Sequence, residues 1–165
     1  MADRAAWAGA VDGVLERMRA MPGALLPILH GIQEQLGYVP PESVPRIAEV
    51  LNLSRAEVHG VITFYHDFRS EPPGRHIVHV CRAESCQALG AEALLAGACA
   101  RLGVEVHGTT PDGAVTIEPI YCLGNCALSP AVMVDRHVYG RMSPGRLDTI
   151  LNALQGAAPM AGAGR

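Results

Sequence analysis

Cys81 and Cys86 in CRAESC, and Cys122 and Cys126 in CLGNC, are the residues of this sequence best placed to do chemistry. The first pair encloses Arg-Ala-Glu-Ser and the second Leu-Gly-Asn, and each pair falls where an extended apolar run breaks into a short loop. Four sulfurs on two loops can converge on one metal centre. Structural zinc accepts cysteine pairs with about two to four residues between them, so spacing alone leaves zinc and an iron–sulfur group equally open. Four thiolates without an evident substrate pocket suggest an electron carrier.

Other thiol chemistries fit less well. A thioredoxin-type catalyst uses a C-x-x-C pair at a strand–helix junction, and no such pair is present. A Rieske centre needs two histidines, and neither cysteine loop contains one. Zinc ribbons usually staple a domain too small to build a core, whereas this region is rich in Val, Ile and Leu. All-cysteine ligation remains, with a zinc-stapled interaction module as the alternative of a different class.

Further polar residues take plain readings. Cys99 lies four after Leu95 and three before Leu102, the spacing of a buried apolar helix position rather than a fifth ligand. His79 reads as a strand histidine with an ordinary hydrogen bond, and His30, His59 and His66 are scattered without ligand pairing. For Phe64, Tyr65 and Phe68, core and docking roles are equally open.

The elements that must position the cysteines change character near residue 72. Up to Phe68 the pattern is helical: Leu25, Leu29, Ile32 and Leu36 recur at helical spacing, as do Val44, Ile47, Ala48 and Leu51. Pro27 is tolerated in a first turn, and Gly37 with Pro40 and Pro41 separates two helices. Ser54 with Glu57 predicts a capping box, and Leu53 with Val58 a hydrophobic staple across it. Pro72, Pro73 and Gly74 end this part.

Beyond them strands alternate with helices. Residues 76–80 and 114–120 read as strands, as does 104–107; residues 88–102 read as one helix. Residues 131–135 and 138–139 predict a hairpin, and Ser143 with Pro144 caps a last helix through Leu154. The fold class is α+β: an N-terminal helical bundle over 1–71, an α/β domain of thioredoxin size and order over 74–154, and a flexible Gly-, Ala- and Pro-rich tail over 155–165.

Composition narrows the partners. The chain has 165 residues and a formal charge of -3, without the basic balance that phosphate binding needs. No apolar run approaches the roughly 18 residues of a membrane span, and charges interrupt the first twenty residues. A cytoplasmic location is expected, where clustered cysteines more often bind metal than form disulfides.

The strings LNLSRAEVHGVITFYHDF, VCRAESCQALG and TIEPIYCLGNCALSPAVMV together resemble the thioredoxin-like [2Fe-2S] ferredoxin family. The likeness covers about residues 22–154. That family includes a peripheral subunit of respiratory complex I and the gamma subunit of NAD-dependent formate dehydrogenase, and Gln87 after the second cysteine is more similar to the latter. The resemblance implies that Cys81, Cys86, Cys122 and Cys126 each give a thiolate to one [2Fe-2S] cluster. It also implies a helical part that packs on a flavin-bearing, NAD-reducing subunit, with Gly60, Thr63, Phe64 and Tyr65 in its signature. Formate would be oxidised at a molybdenum cofactor on a catalytic subunit, with FMN and further iron–sulfur clusters also on partner chains. The chain would serve an oxidoreductase complex without a catalytic residue of its own; an NAD-linked hydrogenase or complex I (NADH:quinone oxidoreductase) is the alternative setting.

Such a cluster with four thiolates carries a formal charge of about -2, and about -3 when reduced, so the loops must supply positive dipoles. Gly124 is expected to let the backbone approach closely, and a helix beginning after Cys86 to aim its amides at the sulfurs. Arg82 reads as a solvated surface arginine, with a charge beside the sulfurs as the alternative.

Overall fold

The fold was obtained as a computed structural model, which describes residues 4–156 and, at the amino end, side chains from Trp7 onward. The chain gathers into two compact units that divide between Pro72 and Pro73.

The first unit is helical: α1 (Arg4–Met18), α2 (Leu25–Leu36), a 3-10 turn (Pro41–Ser43) that leads into α3 (Val44–Leu51), and α4 (Arg55–Phe64). Helical spacing turns Ile28, Leu29 and Ile32 of α2 and Ile47 and Ala48 of α3 inward, where they meet Val11, Val14, Val58 and Phe68 in one core. Gly37 ends α2 in a left-handed conformation with φ 84°, its amide donating to Gln33 O. The Gln33 side chain then fixes the segment after α4, donating to Asp67 O and accepting from Arg69 N.

The capping box forms as the sequence predicts. Ser54 Oγ accepts from Glu57 N at 3.2 Å, and Ser54 N donates to Glu57 Oε2 at 2.8 Å. Hydrogen bonds from the Ser54 backbone and then its side chain hold the Glu57 carboxyl below its ordinary range. That contribution is therefore full above the ordinary glutamate range and is lost as pH falls through the depressed value. Ser54→Ala is expected to weaken α4 by about 1 kcal/mol. Amide exchange in its first turns should quicken about fivefold, with little change in the sheet.

The second unit is a four-stranded mixed sheet in the order β2-β1-β3-β4. Its strands are β1 (His76–Cys81), β2 (Val115–Ile120), β3 (Val132–Val134) and β4 (His137–Tyr139). β1 is central, parallel to β2 and antiparallel to β3. Between β1 and β2 run α5 (Glu84–Ala88) and α6 (Ala91–Leu102); α7 (Pro144–Gly156) follows β4. Strand alternation turns Val78, Val80, Val115, Ile117, Val132 and Val134 to one face, where Leu94, Leu95, Leu147 and Leu151 of α6 and α7 complete a second core. Among the described residues, no helix is long and apolar enough to cross a membrane.

Three local expectations are corrected. Residues 104–107 form no strand, despite the alternation of Val104 and Val106: His107 turns left-handed at φ 69°, Gly108 N closes a turn onto Glu105 O, and only Thr109 bridges Thr116. The helix expected over 88–102 is two, because Gly90 at φ 89° breaks it between α5 and α6. α7 continues through Gly156, so the first two residues of the expected tail are helical; residues 157–165 lie outside the described residues.

Candidate metal centre

Parallel pairing explains why the two cysteine loops meet. Cys81 is the last residue of β1 and lies in register with Ile120, the last of β2, so both loops leave the same end of the sheet. Arg82 N donates to Ile120 O at 2.8 Å, and Cys81 N to Ala131 O at 3.1 Å, which ties the two exits together. Cys86 is the third residue of α5. Cys126 opens a 3-10 turn (Cys126–Leu128) that rests against the segment after β4.

The sulfurs are gathered in pairs. Cys86 lies within hydrogen-bonding reach of Cys81, and Cys122 Sγ is 3.8 Å from Cys126 Sγ. Two sulfurs about 2.3 Å from one tetrahedral ion are about 3.8 Å apart, so the second pair already has the spacing of shared ligation. Among the described residues, no three His, Cys, Asp or Glu side chains close on a single ion. Cys81 and Cys86 are buried among Ala91 and Ala131, whereas Cys122 and Cys126 are exposed.

Backbone amides face these sulfurs. Cys122 takes φ 83° and Gly124 φ 72°, left-handed values that a non-glycine residue rarely adopts. The turn aims the amides of Cys122 and Leu123 at Cys81 Sγ, while Gly124 N donates to Cys122 Sγ at 3.4 Å. Successive amides of this kind form a concave nest for anionic groups, iron–sulfur centres among them. The close approach expected at Gly124 is not what its place requires: a methyl group there would meet nothing within 4 Å, and it is the left-handed φ that favours glycine. The helix expected to start after Cys86 instead starts before it, at Glu84, and the amide at its threshold, Ala83 N, serves Cys81.

Electrostatics split the set. Burial pushes the Cys81 thiol up, but the Ala83 amide, the Cys86 thiol and the Leu123 and Cys122 amides outweigh it and hold Cys81 below the ordinary thiol range. Cys126 is pushed up by its hydrogen bond to Cys122 and by that neighbour's charge, then by burial and by Cys86 and Cys81. Cys126 is thus disfavoured as a thiolate by the other three sulfurs, whereas amides favour the thiolate of Cys81. The donor set and the nest fit a [2Fe-2S] group.

Cys99 stands apart, half-buried against the second core, with burial raising its thiol. Arg82 is neither free in solvent nor a lone charge: its guanidinium grips Glu92 of α6 through bonds of 2.8 and 3.0 Å. His79 sits mid-strand between Glu118 and Met133. Phe68 belongs to the helical core, while Phe64 and Tyr65 are exposed. Sequence reasoning missed Ser85, Ser129 and Gly140, which crowd the cysteine loops. Ser129, three residues after Cys126 and followed by Pro130, was the only one with a local signal.

The sequence profile of the thioredoxin-like [2Fe-2S] ferredoxin family matches residues 11–155, and the chain belongs to that family. A [2Fe-2S] cluster is its cofactor. An NADH-quinone oxidoreductase subunit of Pseudomonas aeruginosa is 38% identical over 122 residues, covering 74% of this chain and 74% of that protein. The NADP-reducing hydrogenase subunit HndA of Solidesulfovibrio fructosivorans is 34% identical over 137 residues, covering 83% of this chain and 80% of that protein. The crystal structure of an NAD+-reducing [NiFe]-hydrogenase in the H2-reduced state superposes with a TM-score of 0.69 at 25% identity, over 86% of this chain. This chain spans only 24% of that hydrogenase chain.

Proposed function

We propose that this chain is an electron-transfer subunit whose Cys81, Cys86, Cys122 and Cys126 hold one [2Fe-2S] cluster within an NAD-linked oxidoreductase complex. The observation that carries the reading is the pairing of Cys81 with Cys86 and of Cys122 with Cys126, with the amides of residues 122 and 123 facing Cys81 Sγ and that of Gly124 facing Cys122 Sγ. Two pairs suit a group in which each of two irons takes two thiolates. When bound, the cluster takes up and releases one electron. The chain's own residues supply its ligands, its amide donors and a surface for partners. Cys122 and Cys126 are exposed beside Tyr121, 73% exposed, and Leu128, 40% exposed, an apolar rim suited to docking a redox partner.

Residues 74–154 form the cluster domain in this reading, and residues 1–71 dock a flavin-bearing, NAD-reducing subunit. Gly60, Thr63 and Phe64 support the docking role: all three are exposed at helical spacing on α4, Phe64 is 73% exposed, and the space over Gly60 is open. A mid-helix glycine costs about 1 kcal/mol relative to alanine, and close approach by a partner backbone would offset it.

The finer assignment is a cytoplasmic NAD-dependent formate dehydrogenase, in which a molybdenum-bearing subunit oxidises formate to carbon dioxide; it rests on the wording of CRAESCQALG around Gln87. The names of the relatives favour a second setting, an NAD-linked hydrogenase or complex I. Anaerobic capture of the tagged chain from its own host tests the choice. Formate-driven NAD reduction by a molybdenum- and flavin-containing complex is expected. A nickel-containing complex driven by hydrogen, or one passing electrons from NADH to quinone, would overturn the formate assignment in favour of the second setting.

A further inference from the structure

Two serine hydroxyls lie against the cysteine loops. Ser129 is 8% exposed, and its Oγ is 3.3 Å from Cys86 Sγ, 2.9 Å from Ser85 Oγ and 2.9 Å from the carbonyl oxygen of Cys126. Ser85 Oγ reaches the same carbonyl at 3.3 Å. The two residues therefore link both loops, since Ser85 adjoins Cys86 in the first and Ser129 follows Cys126 in the second.

Proton counting limits what they can do. Each hydroxyl has one proton to donate. In one arrangement Ser129 donates to Cys126 O and Ser85 donates to Ser129, so neither proton reaches sulfur. In the other, Ser129 donates to Cys86 Sγ and Ser85 takes over Cys126 O. The carbonyl keeps a donor in both, so the exchange needs only two hydroxyl rotations. The first has the shorter contacts, two of 2.9 Å, and is favoured while the sulfur is weakly charged. A sulfur carrying more negative charge gains more from a donor than a neutral carbonyl does, which favours the second.

We propose that Ser129 and Ser85 form a two-proton hydroxyl switch that turns towards Cys86 Sγ as that sulfur becomes more negative, and so raises the reduction potential of the group it ligates. The inference rests on Cys86 being a ligand. One electron enters the group, supplied by the redox partner; two O–H bonds rotate, no proton leaves the pair, and no covalent bond forms or breaks.

The test uses the full chain, assembled anaerobically with iron and sulfide, as wild type, Ser129→Ala and Ser85→Ala. Iron and sulfide content, midpoint potential, and deuterium coupling in pulsed electron paramagnetic resonance after exchange into D2O are measured for each. Ser129→Ala is expected to keep its iron and sulfide, lose the deuteron coupling near Cys86, and shift the reduction equilibrium threefold to tenfold towards the oxidised form, about 30 to 60 mV lower in midpoint. Ser85→Ala should shift the same way by less, because Ser129 must then abandon the carbonyl to reach sulfur. A loaded Ser129→Ala chain with unchanged potential and coupling overturns the switch and leaves the four-cysteine reading standing. If Ser129→Ala fails to load, Ser85→Ala decides alone: a lowered potential supports the switch and an unchanged one overturns it. A wild-type chain that takes zinc and no sulfide overturns the underlying [2Fe-2S] reading instead.

Discussion

Cys122→Ser is expected to lower bound iron to less than half of the wild-type content while leaving helix and sheet content intact. A neutral serine oxygen is a poor substitute for a thiolate on a soft metal, and Cys122 belongs to the exposed pair. It also lies outside the three buried clusters formed among the described residues, so the metal-free variant should match the metal-free wild type within about 0.5 kcal/mol. The metal-loaded proteins should differ much more, because binding energy that acts on the folded state is lost with the cluster. Iron analysis, circular dichroism and thermal melting with and without metal separate the two effects. Near-wild-type iron in the variant would remove Cys122 from the ligand set.

Gly140→Ala should have an effect nearly as large through backbone alone. Gly140 follows β4, and a methyl group there would lie 2.5 Å from Leu128 Cβ, 2.8 Å from Asn125 Nδ2 and 2.8 Å from Leu128 O. Each of these atoms belongs to the second cysteine loop or the turn that ends it. The adjoining segment is stitched to the same region, with Met142 N donating to Pro130 O at 2.9 Å. Relief requires the turn bearing Cys126 to move, and overpacking of this kind costs about 1–3 kcal/mol. The expected result is a folded chain that binds iron poorly and releases it readily to a chelator. Wild-type iron retention in Gly140→Ala would show that the loop tolerates the displacement without disturbing its sulfurs.

The sequence speaks most clearly where local chemistry decides structure. Ser54 and Glu57 specify the start of α4 because both partners of the capping box lie within one turn. The apolar run at 76–80 specifies a strand because its alternation matches a buried face. Residues 104–107 alternate equally well, yet their hydrogen bonds go to a turn closed by Gly108 and to a limited pairing beside β2, a choice made by tertiary context. At the site, the cysteines announce themselves by spacing, whereas their convergence depends on Cys81 lying in parallel register with Ile120. Ser85 and Gly140 have no comparable signal, since each acts on the second cysteine loop through contacts that chain folding creates across 12 to 44 residues of sequence.

Purifying the chain under anaerobic conditions and measuring iron, acid-labile sulfide and zinc on the same sample tests the central claim most directly. About two irons and two sulfides per chain, negligible zinc, and a paramagnetic signal that appears on one-electron reduction are the predicted results. A colourless protein holding about one zinc and no sulfide would contradict the account.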